Sequence, residues 1–262
     1  MTSGTLYGIG VGPGDPELIT VKAVRVLEHC THIFTATSPK KTDSLALEIA
    51  RPYLSETAQI SQLFFPMTKS AEVLDTAWEN NARIVLNVLS GGENAAFLTL
   101  GDPLIYSTFS YLMAAIRAQC PEASIKTLPG ITSFQAASAR LNMPLVEAEE
   151  SLLITSGAFG GNGLRQADLA AENVVLLKAY KHVPDIIRTL KETGRLHTSR
   201  AISHCSRPGE RIVNNISDLE DQSPDYWTLI ISKKKRQMRP DLGIYPASTA
   251  GQDHAPAGDR SF

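Results

Sequence analysis

The sequence predicts an α/β protein built from two α/β domains of similar size. Two observations carry that reading. From residue 5 to residue 141, short apolar runs rich in β formers alternate with stretches of helical periodicity, the pattern of a largely parallel sheet. Beyond residue 141 the strand-like runs crowd together, which suits a mixed sheet with antiparallel pairs.

Residues 5–10 read as the first strand. A turn of Gly, Pro and Asp follows, and then Leu18, Val21, Val24 and Leu27 recur at the i, i+3 spacing of an amphipathic helix. Residues 32–35 read as a strand, 44–50 as a helix and 59–65 as a strand. A long helix is expected over 70–88, with Val73, Ala77, Ile84 and Val88 among its apolar positions. A buried strand over 95–100 stops at Gly101-Asp102-Pro103. Helix is expected over 105–118, strand over 124–127 and helix over 132–141. Residues 142–150 carry Pro144, Glu147, Glu149 and Glu150 and read as a hinge, which sets the domains at residues 1–143 and 149–238. In the second domain the strand-like runs are 152–155, 174–177, 201–205, 212–214 and 227–232, with a helix at 184–193. Residues 239–262 lose all periodicity and read as a mobile tail. The basic run from Lys233 to Arg236 reads as a solvated strand end.

Composition narrows the function. A formal net charge of -2 and 6% aromatic residues give no basic field and little stacking surface for nucleic acid. No apolar run approaches the ~20 residues of a membrane span, and no secretory signal pattern is present. The three cysteines, Cys30, Cys120 and Cys205, are far apart with no metal-ligand spacing, which suits a reducing, cytoplasmic setting and no metal site. His29 and His32 stand three apart, but a histidine near a helix C-terminus is the simpler reading of that pair.

Three glycine-bearing turns join a strand to a helix. The first runs from Gly8 to Asp15, with glycines at every second position. A dinucleotide fingerprint needs its third glycine at 13 or 15, where this chain has Pro13 and Asp15, so that reading fails on spacing. Asp15 is expected to cap the following helix. The second turn, Thr99 to Thr108, places Gly101, Asp102 and Pro103 at the C-terminal end of a buried strand, where parallel sheets bind ligands. The third, Leu128 to Phe134, offers Thr132 or Ser133 either as a cap or as a ligand contact. Three such turns in one domain can line one cleft, but pattern alone does not name the ligand.

The segments GIGVGPGDPELIT, TLGDPLIYSTF and LPGITSFQAASA, in this order and spacing, resemble the tetrapyrrole methylases, and the resemblance runs from about Gly4 to Lys233. TVKAVRVLEHCTHIF, SPKKTDSLALEIA and VVLLKAYKHV are most similar to the subgroup that methylates C20 of precorrin-2 or cobalt-factor II on the way to cobalamin. The resemblance implies two α/β domains with the active cleft between them, a fold distinct from the Rossmann type, and a homodimer. It implies S-adenosyl-L-methionine as cofactor, leaving as S-adenosyl-L-homocysteine. The cofactor would be held by Gly101, Asp102, Pro103, Ile105, Ser107, Thr108, Ser133 and Phe134 from the first domain. From the second it would meet Leu177, Lys178, Ala179, Tyr226 and Thr228. Many relatives have Met near Leu177 or Lys178, and this chain has none there.

A methyl transfer of this kind needs alignment of sulfur, methyl and carbon more than acid–base power. Asp102 is therefore expected to position the cofactor. The ring carries many carboxylates, so a basic trough is expected. Gly12, Pro13, Gly14, Lys40, Lys41, Tyr106 and Arg207 are the candidate substrate contacts, with Lys22, Arg25 and Lys178 as further cations. Tyr106, His204, Glu147 and water are conceivable acceptors for the proton the ring must lose, and nothing in the sequence selects one. Methylation at C11 or C17 of a precorrin, a diphthamide-type methyltransferase, a nicotinamide-dependent dehydrogenase and a non-catalytic adenosine-ligand sensor are the competing readings.

Overall fold

The computed structural model describes residues 3–38, 44–167, 170–220 and 224–235. Lys40, Lys41 and the expected tail at 239–262 lie outside them. The first sheet is parallel throughout, in the order β3-β2-β4-β1-β5. Its strands are β1 (Thr5–Gly10), β2 (His32–Thr37), β3 (Gln59–Phe64), β4 (Ala95–Thr99) and β5 (Ser124–Leu128). Helices α1 (Val21–Leu27) and α2 (Leu45–Ala50) cover one face; α3 (Ala71–Ser90) and α4 (Phe109–Gln119) cover the other.

The strand period of two divides the apolar residues between these faces. Ile9, Ile33, Ala96 and Leu98 join the α1/α2 core, while Leu6, Phe34, Ala95 and Phe97 join the α3/α4 core. Burial on both faces is why β4 reads as a continuous apolar run, whereas the edge strand β3 is mostly exposed and carries polar residues.

The second sheet is mixed, in the order β6-β7-β10-β8-β9. Its strands are β6 (Leu152–Ser156), β7 (Asn173–Leu177), β8 (Ser199–Ser203), β9 (Arg211–Val213) and β10 (Thr228–Lys233). Only β6 and β7 run parallel. Helices α6 (Asn162–Ala167) and α7 (Val183–Glu192) cover one face, with Leu164, Ile186, Ile187 and Leu190 against Val174, Leu176, Ala201 and Ile230. The opposite face is covered by α5 (Ser133–Leu141), which follows the last strand of the first sheet. Phe134, Ala136 and Ala137 of α5 pack on Val175, Ile202, Leu229 and Ile231. The chain after α5 is fastened to the second sheet as well. Lys233 Nζ donates to Pro144 O at 2.7 Å and pairs with Glu147 at 3.6 Å and Glu150 at 3.8 Å. Lys233 is thus an anchor for residues 144–150, not a solvated strand end.

Two helix starts differ from the expected ones. Leu18 closes a 3-10 turn (Pro16–Leu18) capped by the Asp15 carboxylate, which accepts from Glu17 N at 2.9 Å. The α-helix begins at Val21 behind a second cap, Thr20, which accepts from Ala23 N at 3.2 Å. Helix α4 begins at Phe109 and not at Ile105, because Tyr106 adopts a left-handed backbone (φ 51°) that breaks helical continuation. His32 lies in β2, so it shares no helix face with His29. Arg195 is fully buried, and its guanidinium donates to the carbonyls of Ala171 at 2.7 Å and Glu172 at 2.8 Å. Charge composition alone would place it outside.

Because the first sheet is parallel, the chain leaves β1, β4 and β5 at the same edge. The three exits meet backbone to backbone. A Cβ on Gly130 would stand 2.1 Å from Gly101 O, and one on Gly10 would stand 2.5 Å from the same oxygen. Gly101 N donates to Gly12 O at 2.7 Å, with φ +83° at Gly12 and +71° at Gly101. Only glycine fits this junction.

Gly130→Ala is expected to cost about 3 kcal/mol, the upper end of the overpacking range. Gly194→Ala, at an open site with φ +67°, is expected to cost about 1–2 kcal/mol from backbone strain alone. Urea unfolding of both variants checks this, and equal costs would mean that the junction can relax. Burial pushes the Cys30 thiol up to about 12 and also raises that of Cys205. Thiolate is the reactive form, so iodoacetamide at pH 8 should alkylate the half-buried Cys120 in the native protein and spare Cys30 until unfolding. Equal labelling would show that the Cys30 site opens.

Candidate active site

The loops leaving the glycine junction form one wall of a cavity of about 320 Å3, with Gly101 itself on the lining. Asp102 binds its own loop to the next one: its carboxylate accepts from Leu104 N at 2.8 Å and from Gly130 N at 3.1 Å. Thr132 caps α5 in a reciprocal box with Gln135, taking N–H from Gln135 at 3.3 Å while Thr132 N donates to the Gln135 side chain at 2.9 Å. The Thr99 and Ser107 hydroxyls bond each other at 2.9 Å, and Ser107 Oγ accepts from Phe109 N at 3.1 Å. The side chains of Thr108 and Ser133 make no hydrogen bond among the described residues and remain available to a ligand.

The opposite wall comes from the second sheet. The ends of β7 and β8 and the start of β10 supply Leu177, Lys178, His204, Cys205, Arg207 and residues 226–229. Ala179 N donates to Thr228 O at 2.8 Å, and the Ser203 and Thr228 hydroxyls bond at 2.7 Å, so this wall is tied internally. Its cations lie against aromatic rings. The Arg207 guanidinium is 4.4 Å from the centre of the Trp227 ring, and Lys178 Nζ is 5.3 Å from that of Tyr226. Burial lowers the pKa of Arg207 from its ordinary value, and its Nη1 is buried without a hydrogen-bond partner among the described residues. Tyr106, Lys178 and His204, all on the cavity wall, have positive φ of 51°, 58° and 52°. Such strain concentrates at functional sites.

The structure brings most of the sequence-predicted contacts together. Gly101, Asp102, Ile105, Ser107, Thr108, Ser133 and Phe134 line the first wall. Leu177, Lys178, Tyr226 and Thr228 line the second, with Pro13, Tyr106 and Arg207 beside them. Four do not line it. Pro103 and Ala179 are buried behind it. Gly12 turns away toward the Leu18 carbonyl, 3.2 Å from where its Cβ would be. Gly14 is covered by Arg207, whose Cγ lies 2.2 Å from the Cβ position, so this glycine makes room for the arginine. Trp227, within the expected 226–228 segment, lines the cavity too, and Thr99, Leu100, Cys205 and Leu229 line it without having been named as contacts from sequence. The alternation of apolar and hydroxyl residues at these strand ends carries no signal separating wall from core.

A larger groove, about 600 Å3, lies between β3 and α3. Glu72 is its one ionisable lining residue, and no glycine turn reaches it. The smaller cavity holds the convergent polar and cationic groups and is the candidate site. Among the described residues no group of three His, Cys, Asp or Glu side chains is placed to hold a metal ion, and no helix is long and apolar enough to cross a membrane.

Comparison with known proteins agrees with this architecture. The family model for tetrapyrrole (corrin/porphyrin) methylases matches residues 5–220. The chain is 32% identical over 234 residues to a cobalt-precorrin-2 C(20)-methyltransferase of Salmonella typhimurium, spanning 89% of this chain and 98% of that one. It is 43% identical over 231 residues to a probable cobalt-precorrin-2 C(20)-methyltransferase of Methanocaldococcus jannaschii, spanning 87% and 96%. The solved structure of a cobalt precorrin-4 methyltransferase matches with a TM-score of 0.69 at 20% identity, over 87% of this chain and 94% of the other. A uroporphyrin-III C-methyltransferase from Thermus thermophilus, complexed with S-adenosyl homocysteine, matches with a TM-score of 0.60 at 21% identity, over 88% and 98%. At those identities the structures share a fold, and the sequence matches carry the kinship: the chain belongs to the tetrapyrrole (corrin/porphyrin) methylase family.

Proposed function

We propose that this chain is an S-adenosyl-L-methionine-dependent C-methyltransferase acting on C20 of precorrin-2 or cobalt-factor II in cobalamin biosynthesis. The observation that carries the reading is the end-to-end match, at 32% and 43% identity, to two relatives named for C20 methylation. The cavity fits the proposed cofactor in kind. It is within the ~300–1,000 Å3 of small-molecule sites, and it offers free hydroxyls at Thr108 and Ser133, apolar contact at Ile105, Phe134 and Leu177, and backbone at Gly101. When bound, the cofactor supplies an electrophilic methyl group and leaves as S-adenosyl-L-homocysteine.

The residues of the chain do the positioning. Asp102 spends its carboxylate on two backbone N–H groups and so holds the loop in shape without fixing a full charge beside the sulfonium. Strong stabilisation of the ground-state cation would slow transfer. At the open side, Ile105, Tyr106 and Tyr226 are 41%, 64% and 45% exposed, a largely apolar rim suited to a broad ring. The unpartnered Nη1 of Arg207 suits one of the ring's carboxylates. The reading makes residues 1–143 and 149–238 the two domains, with the cleft between them, in a cytoplasmic homodimer. Three cysteines outside any disulfide suit that compartment.

Incubation with the cofactor and either cobalt-factor II or metal-free precorrin-2, read by mass spectrometry and NMR, is expected to give a gain of one methyl group at C20. A methyl at another carbon would reassign the position, and cofactor binding without transfer to either ring would reject the substrate. Arg207→Met is expected to raise the ring's KM roughly 10- to 100-fold, the worth of a charged hydrogen bond, with little change in cofactor affinity. An unchanged KM would remove Arg207 from the ring site. Asp102→Asn places an amide N–H against a backbone N–H, so it should raise the cofactor Kd about tenfold and leave single turnover of the bound complex nearly intact. A slow single turnover with an unchanged Kd would give Asp102 a role in the chemistry instead.

A further inference from the structure

Methylation of a ring carbon that carries hydrogen forms one C–C bond and must break one C–H bond. Tyr106, His204 and Glu147 are the candidate side-chain acceptors, and the structure separates them. Glu147 does not line the cavity and pairs with Lys233. Tyr106 lines it, but its hydroxyl donates to Ile154 O of β6 at 3.3 Å. His204 lines the cavity and is arranged differently from either. Its Nε2 is hydrogen-bonded to Asp225 Oδ2. The other carboxylate oxygen accepts from Trp227 N at 2.9 Å, so Asp225 is itself held by backbone. A carboxylate can only accept, so neutral His204 carries its proton on Nε2 and presents a bare lone pair at Nδ1. Nδ1 has no partner among the described residues. The residue is kept at φ 52°, with its N–H donating to Trp227 O at 3.3 Å.

We propose that His204 is the general base that takes the C20 proton, with Asp225 as its positioning residue; this rests on the C20 reading above. Once the methyl group is on C20, the C20–H bond breaks toward Nδ1. Its electron pair returns to the ring π system that gave up density to the methyl group. The proton leaves on the imidazole, whose positive charge is met by the Asp225 carboxylate, and passes to water after product release. The residue ends neutral, and no oxidant or reductant is needed.

His204→Asn tests this, because asparagine tolerates a left-handed backbone and removes the base. The wild type is expected to methylate C20 with no primary isotope effect from a C20-deuterated ring, methyl transfer being the slow step. In His204→Asn, kcat should fall roughly 10²–10⁴-fold, the usual worth of a general base, and a primary isotope effect should appear on kcat as proton loss becomes limiting. Added imidazole should restore turnover in His204→Gly. Asp225→Asn should lower kcat less, with the same isotope effect and an unchanged KM for the ring. A His204→Asn enzyme that only raises KM, or is slow with no isotope effect, would reduce His204 to a strut between two turns and overturn the proposal. A wild type that leaves C20 unmethylated would overturn the C20 reading and this proposal with it, a result distinct from loss in the variants alone.

Discussion

The arrangement depends on three strands of backbone touching where a single methyl group would not fit. Gly10, Gly101 and Gly130 lie at the C-terminal edge of the parallel sheet, with the Gly101 carbonyl wedged against the other two. Everything on the cavity's first wall follows from that contact. The Gly101 turn is set against the first loop by its bond to Gly12, and Asp102 carries the fixation on to Gly130. Two residues later Thr132 caps α5, so the position of that helix is inherited from the junction. Because α5 covers one face of the second sheet, the second wall is placed by the same contact.

The two walls solve different electrostatic problems. The first presents backbone, hydroxyls and a carboxylate already satisfied by N–H groups. The second carries two cations, Lys178 and Arg207, on a site proposed to receive both a sulfonium and an anionic ring. Laying each cation on an aromatic face offsets part of its charge and keeps its direction. Positive φ at Tyr106, Lys178 and His204 sets three of the cavity's side chains on irregular backbone just beyond regular strands.

Much of this was legible in the sequence, because period and punctuation act locally. The bounds of β1 follow from its β-forming run between turn residues, and the turns after β4 and β5 announce themselves by Gly and Pro. Motif order and spacing then pointed to the family and to most of the cavity lining. What escaped is non-local. The every-second glycine pattern at 8–14 looks like a ligand loop, yet Gly8 lies under the Phe109 ring, Gly10 at the junction and Gly14 under Arg207. Each is explained by a neighbour distant in sequence. The start of α4 was misplaced because a left-handed tyrosine carries no compositional mark. Arg195 was invisible as a core residue because its partners, the carbonyls of Ala171 and Glu172, belong to no side-chain motif.

The double allegiance of α5 bears on how such a molecule can be taken apart. By sequence the natural cut lies in the acidic stretch after residue 142. A fragment ending there would keep α5 and expose Phe134, Ala136 and Ala137, while the remaining piece would lose the cover from Val175, Ile202 and Ile231. Both halves of a chimera spliced at that point would be sticky. A graft that exchanges the ring-facing half should carry α5 with the second sheet and join the parent at the Pro129-Gly130 turn. The cost is a seam running through the tightest backbone contact in the protein.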